Sequence, residues 1–232
     1  WLQGLRAEAA AEGVSPAVLS ATLDGLQPLQ RVVELDRSQP EFTRTFWDYL
    51  EARVTRQRID RGKARLAEHA ALLTEVEQTY GVPARYLVAF WGLETNFGGY
   101  LGKHSTVAAL ATLAHDPRRS GFFRRQLLDA LQIIQAGHVA APQLRGSWAG
   151  AFGNLQFMPS TFRQYARDGD GDGRIDHWDS LADVFHSAGA YLQQMGWQRG
   201  ELWGREVRLP AGFDWALAGL DRPQPLADWV AL

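Results

Sequence analysis

No cysteine occurs among the 232 residues, which excludes disulfides, thiol catalysis and cysteine-held metals. Charge of one sign is not in excess either: 24 Lys and Arg stand against 26 Asp and Glu, a formal net charge of -2. Such a balance lacks the basic field that a nucleic-acid partner demands. No stretch approaches the roughly 18 consecutive apolar residues of a membrane-spanning helix, and internal repeats, low-complexity runs and long Gly/Ser linkers are missing. What remains is an ordinary globular composition, 46% hydrophobic and 22% charged, with 9 Trp as its one surplus. Aromatic rings in that number serve as flat ligand surfaces as well as core. The chain starts at Trp1 without an initiator Met and stops on the apolar run Trp229-Val230-Ala231-Leu232. Those ends are the ones expected of a processed protein truncated at its C-terminus.

The apolar patterning is mainly helical. A hairpin is expected over residues 1–28, with Ser15 capping and Pro16 opening its second helix. From Pro40, residues Phe42, Phe46, Tyr49, Leu50 and Val54 recur at helical spacing. Leu66, Ala70, Leu73 and Val76 mark a further helix that Gly81 should end. Pro83 opens a helix running to about Phe97, and helices are also expected at Val107–Leu113, Phe122–Ile134 and Leu181–Met195. Residues 137–158 form a long Gly-rich irregular stretch of the kind that usually carries function. A strand is expected at Glu206–Leu209.

The sharpest motif runs from Asp168 to Asp179. Asp168, Asp170, Asp172, Asp176 and Asp179 occupy positions one, three, five, nine and twelve of a twelve-residue loop, with Gly173 at the sharp turn. Arg174 at position seven would contribute its backbone carbonyl. A hard cation needs several oxygens converging from one tight loop, and five acids so close repel one another without it. The expected ion is calcium in a structural, EF-hand-type site. Asp in place of Glu at position twelve shortens the reach, which weakens the site or favours magnesium. An acidic solvated turn is the competing reading.

Glu94 falls on one helical face with Leu87, Phe90, Trp91 and Phe97. Desolvation on such a stripe, and the negative end of the helix dipole in the last turn, both favour the protonated carboxylic acid. That is the state a general acid needs. Two other readings stay open from the residues alone: a buried partner for an arginine, or a side chain pointing out at the edge of the stripe. No second carboxylate pairs with Glu94 by spacing, although most glycosidases use two.

Tyr80-Gly81-Val82-Pro83 followed by Phe90-Trp91-Gly92-Leu93-Glu94-Thr95-Asn96-Phe97-Gly98 resembles the lytic murein transglycosylase B family. So do Ala108–Leu113 with Pro117-Arg118-Arg119, Gly146-Ser147-Trp148-Ala149-Gly150-Ala151 and Gln156-Phe157-Met158-Pro159-Ser160, in that order. The resemblance spans nearly the whole chain. It implies a mainly α (α+β) fold forming a single catalytic unit. An accessory helical region at 1–79 would precede a lysozyme-like core at 80–200, with a truncated C-terminal segment at 201–232. It also implies cleavage of the glycan between N-acetylmuramic acid and N-acetylglucosamine, with Glu94 as acid and then base and a 1,6-anhydromuramyl product. Ser147, Gln156 and Asn154 are implied to line the glycan groove, although relatives often have Tyr or Gln where Asn154 stands. Tyr191 is implied to stand near the cleaved bond, with plain core as its alternative. Arg118 and Arg119 would meet glycan or peptide carboxylates, with solvated surface as theirs. Calcium and no organic cofactor, glycan strands and cell-wall synthesis or remodelling proteins as partners, a monomer, and the periplasm or cell envelope complete the expectation. A hydrolytic muramidase and a non-catalytic, calcium-stabilised glycan-binding module are the alternative functions.

Overall fold

Local capping chemistry sets many of the helix ends. The Ser15 hydroxyl accepts the Val18 N–H at 3.3 Å and Pro16 takes the first turn, so α2 (Pro16–Leu23) starts where the hairpin with α1 (Leu2–Ala11) requires. This computed structural model describes residues 1–38, 45–204, 206–219 and 221–230. Pro40 and Phe42, which open the fourth apolar pattern, lie outside the described residues, as do Ala231 and Leu232. The chain continues through α3 (Gln30–Ser38), α4 (Phe46–Arg53), α5 (Arg56–Glu68), α6 (Ala70–Tyr80) and α7 (Ala84–Thr95).

The single helix expected across Leu66 to Val76 is broken at His69, which takes φ -108° and ψ 23° between α5 and α6. Its ring lies 5.9 Å from that of Trp91 and 6.3 Å from that of Phe185. Packing of this imidazole into the core therefore overrides the local periodicity. Gly81, at φ 75°, ends α6 in the left-handed conformation.

A two-residue antiparallel ladder follows, with β1 (His104–Ser105) paired to β2 (Arg145–Gly146) and His104 opposite Gly146. Close approach here needs glycine, since a Cβ on Gly146 would stand 2.0 Å from the Ala151 carbonyl oxygen. Between the strands run α8 (Thr106–His115) and α9 (Ser120–Gln135), the most extensively packed helix pair. Then come α10 (Pro159–Tyr165) and α11 (Leu181–Gln194), which flank the acidic loop. Leu87, Leu110, Phe123, Leu131, Phe152 and Phe185 are fully buried in the shared core. The fold is mainly helical.

The chain divides into two compact units, Trp1–Arg199 and Gly200–Leu232. The second holds a short turn of helix at Trp215–Leu217 and α12 (Leu226–Val230), with Phe213 stacked on Trp229 at 6.3 Å. The strand expected at Glu206–Leu209 does not form. These residues are irregular, Val207 and Leu209 are exposed, and no neighbouring strand among the described residues offers ladder bonds. No helix among the described residues is long and apolar enough to cross a membrane.

Candidate active site

Helix α7 turns Leu87, Val88, Trp91 and Thr95 inward and leaves Phe90 half-buried. Glu94 stands in its last turn with the residue exposed. It sits at the edge of the apolar stripe, one of the readings that spacing leaves open, because the helix ends here before a further turn can cover the carboxylate. Surrounding protein still strips water from the group, so burial raises the Glu94 carboxyl above the usual glutamate value, while the Arg53 guanidinium pulls it the other way. Arg53 ends α4 and lies over the Tyr49 ring at 5.4 Å. No spacing argument points to it, since it is an exposed arginine on another helix.

Immediately after Glu94 the backbone reverses. Asn96 and Phe97 both adopt left-handed φ, 53° and 59°, and bring the Phe97 ring edge-on to Trp91 at 5.6 Å. Non-glycine residues in that region cost of order 1–3 kcal/mol each and persist only where the surroundings hold them. Here Thr95 does much of the holding: its hydroxyl donates to the Asn154 carbonyl at 2.9 Å and accepts the Gly98 N–H at 3.1 Å.

Asn154 is the hub beneath the site. Its Oδ1 accepts the Trp91 indole N–H at 2.7 Å, and its Nδ2 donates to the carbonyls of His177 at 3.0 Å and Trp178 at 2.9 Å. The residue is buried. A side chain whose amide is engaged inside the protein on both ends faces the core, so the glycan contact expected of Asn154 is replaced by a structural role. Through it the helix of Glu94 is tied to the acidic loop. Adjacent His177 is fully buried between the rings of Phe157 and Phe162, and burial pulls its imidazole down to about 3, so it stays neutral.

One turn before Glu94, Phe90 joins an aromatic wall. Its ring lies 6.2 Å from Tyr191 and 6.3 Å from Phe157, and Tyr191 meets Tyr165 at 5.2 Å. Half-buried Tyr191 is thus both wall and partial surface. Gln156 holds a left-handed φ of 48°, and its amide donates to the carbonyls of Leu101 at 3.2 Å and Gly153 at 3.0 Å. Ser147 accepts the Ala151 N–H at 3.1 Å. Both are half-buried in the irregular stretch between α9 and α10.

Arg118 and Arg119 are engaged elsewhere. Both guanidinium groups pair with the buried carboxylate of Asp36, Arg118 at 2.8 Å, and Arg119 also lies over Phe123 at 4.9 Å. This ties α3 to the turn before α9, and the pairing spans more than eighty residues, beyond the reach of any sequence pattern.

In the acidic loop, ligand oxygens of Asp168, Asp170 and Asp172 lie within 4.8 Å of one another. Asp168 accepts the N–H groups of Gly171 at 2.7 Å and Gly173 at 2.8 Å, and Ser180 donates to Asp170 at 2.8 Å, holding its carboxyl below the usual aspartate value. Asp176 is the correction: it is buried, accepts the N–H groups of Trp178 and Asp179, and pairs with Arg174 at 2.5 Å. Exposed Asp179 does not join the cluster either. Asp183, in the first turn of α11, closes the loop by accepting Gly169 N–H at 2.7 Å and Asp176 N–H at 2.6 Å. Sequence spacing gives no sign of that role.

Two of the hollows among the described residues of the first unit stand near these elements. The larger, about 750 Å³, lies beside α1, α3 and α8 and contains none of these residues. The smaller, about 250 Å³, lies on the flank of α7 away from the aromatic wall.

Comparison with known proteins gives consistent relatives. The chain is 35% identical over 193 residues to the membrane-bound lytic murein transglycosylase B of Escherichia coli (strain K12), covering 78% of this chain and 53% of that relative. SltB3 from Pseudomonas aeruginosa, solved with NAG-NAM-pentapeptide, superposes with a TM-score of 0.94 at 48% identity, covering all of this chain and 62% of that one. The Escherichia coli lytic transglycosylase Slt35, solved with calcium, gives a TM-score of 0.79 at 31% identity, covering 87% and 64%. The chain thus spans little more than half the length of the first of these relatives. The family described as the Transglycosylase SLT domain matches residues 1–232 throughout, and the chain belongs to it.

Proposed function

We propose that this chain is a peptidoglycan lytic transglycosylase working in the bacterial cell envelope, with Glu94 as its one acid–base catalyst. Glu94 donates its proton to the oxygen between N-acetylmuramic acid and N-acetylglucosamine as that bond breaks. The resulting carboxylate takes the proton of the muramyl C6 hydroxyl while the hydroxyl attacks the anomeric carbon. The product is a 1,6-anhydromuramyl end, and no water is consumed. The observation that carries this reading is an exposed carboxyl, raised by its surroundings, at the end of a rigidly anchored helix. A reaction whose nucleophile belongs to the substrate needs no second carboxylate. In support, the SltB3 relative has also been solved with NAG-anhNAM-pentapeptide. Gln156, Ser147 and Tyr191 are placed in this reading as glycan contacts.

A raised acid is protonated, and competent as a general acid, below its pKa and loses that competence as pH rises through it. The rate profile should therefore fall on its alkaline side at the Glu94 pKa. Arg53→Gln removes a charge that favours the carboxylate, so the falling limb should move to higher pH in kcat/KM measured against pH. A limb that stays fixed or moves toward acid would remove Arg53 from the account.

The acidic loop fits a hard cation. Asp168, Asp170 and Asp172 would hold calcium, with the Arg174 carbonyl as a further oxygen, and the ion would neutralise their repulsion and brace the loop. Binding only to the folded state raises stability by about 4 kcal/mol at a thousandfold excess over Kd. Chelation should then lower Tm by several degrees in the unaltered chain and by nothing in Asp168→Ala. Equal Tm with and without chelator in both would dismiss the site, and restoration by magnesium alone would reassign it.

A further inference from the structure

We infer that Phe97 is a positioning residue for the catalytic carboxyl, its ring set between α5 and α7 so that the turn after Glu94 cannot relax; this rests on the function proposed above. Between Glu94 and Phe97 the backbone leaves the helix and doubles back. The Asn96 N–H donates to the Gly92 carbonyl at 3.1 Å and the Phe97 N–H to the Trp91 carbonyl at 3.4 Å, and the two successive left-handed residues return the Phe97 side chain along α7. Its ring arrives at Gly92. A Cβ on Gly92 would stand 2.7 Å from Cε1 and Cζ of that ring, so a larger residue there displaces it. The same ring edge meets α5, where a Cβ on Gly62 would lie 3.4 Å from Cζ. Half-buried Arg61, next to Gly62, holds its guanidinium over the ring at 5.5 Å, and Trp91 closes on it edge-on.

Glu94 is thereby held in a closed segment: Gly92 and Phe97 meet across it, and the carboxyl belongs to the residues between. Strained backbone persists only where its surroundings over-determine it. Thr95 fixes the start of this turn by hydrogen bonds, and the buried Phe97 ring fixes its end by packing. That packing comes partly from another helix, as does the charge of Arg53 on α4. Both therefore act on Glu94 from outside its own helix. A ring enclosed by two helices does not face the glycan, so Phe97 acts through Glu94 and not by contact with substrate.

The test compares Gly92→Ala, Phe97→Leu and the two together in the full chain. Gly4→Ala on α1, where a Cβ meets nothing within 4 Å, controls for adding a methyl to a helical glycine. Tm confirms that the variants are folded, and should Gly92→Ala fail to fold, Phe97→Leu carries the same readouts. Cleavage of a soluble glycan of alternating NAG and NAM gives kcat and KM separately. Carboxyl-carbon NMR, with the Glu94 signal identified by its loss in Glu94→Gln, follows that group's titration. Each single change should lower kcat about tenfold with KM unchanged, since the turn shifts by less than the 1 Å misplacement that costs about 10²-fold. The double change should lose less than the product of the two, because the smaller side chain makes room for the methyl. Gly4→Ala should match the parent. In both single variants the Glu94 carboxyl should titrate closer to the usual glutamate value, as a relaxed turn lets water reach it while Arg53 stays in place. A folded Phe97→Leu with parental kcat or parental titration would overturn the assignment. So would losses that multiply in the double variant, or a rise in KM alone, which would make Phe97 a binding contact. Failure of the proposed function looks different: the unaltered chain would cut no glycan, while the NMR titration would still report whether Phe97 positions Glu94.

Discussion

Glu94→Gln should abolish glycan cleavage while leaving Tm within about a degree of the parent. General acid–base catalysis contributes about 10²–10⁴-fold per step, and here one carboxyl performs both proton transfers, so the loss of kcat should reach the upper end of that range or exceed it. Stability should hold because the residue is exposed and makes no structural hydrogen bond among the described residues. The amide keeps the shape but can neither give up nor accept the proton at the required moment. A variant retaining a tenth of the rate would mean that another group carries the proton. A variant that unfolds would mean that the carboxylate is a structural ion-pair partner, the reading that spacing alone leaves open.

Asn154→Ala should be the most damaging change outside the catalytic carboxyl. It strands the Trp91 indole N–H and the carbonyls of His177 and Trp178 in a buried setting. Each unsatisfied buried group costs about 1–3 kcal/mol, so a loss of about 4 kcal/mol is expected, or roughly 10 °C in Tm for a chain of this size. Activity should fall as well, because Thr95 holds the turn after Glu94 through the backbone of the same residue. The loss of stability should also blunt the response to chelator, since the acidic loop reaches α7 through these bonds. Thermal unfolding with and without chelator measures both effects. A fully stable variant would show that Asn154 instead faces the glycan.

Much of this molecule is legible in its sequence wherever the cause is local. Ser15-Pro16, Gly81 and the stripe of α11 announce their helix ends, because capping and left-handed turns depend on a few neighbouring residues. The acidic loop shows its spacing for the same reason. Glu94 is visible as an acid beside an apolar stripe, although the stripe could not say that the helix would stop before covering it. What spacing cannot reach is non-local pairing. The joint capture of Arg118 and Arg119 by Asp36, the anchoring of Trp91 by Asn154 and the influence of Arg53 on Glu94 each join separate elements. Asp176 shows the limit within the loop itself: its position suits a ligand, but the need to cap the Trp178 and Asp179 N–H groups turns its carboxylate inward. At Glu206–Leu209 the alternating residues were sufficient for a strand and the missing partner was not a local fact.

The central claim is that the substrate's own hydroxyl, and not water, completes the reaction begun by Glu94. Mass spectrometry of glycan fragments released in water enriched in heavy oxygen tests it directly. The account predicts anhydromuramyl ends, one water lighter than hydrolytic products and free of label, that disappear with Glu94→Gln. Reducing ends that carry the heavy oxygen would contradict it and establish a hydrolase with a base elsewhere in the groove.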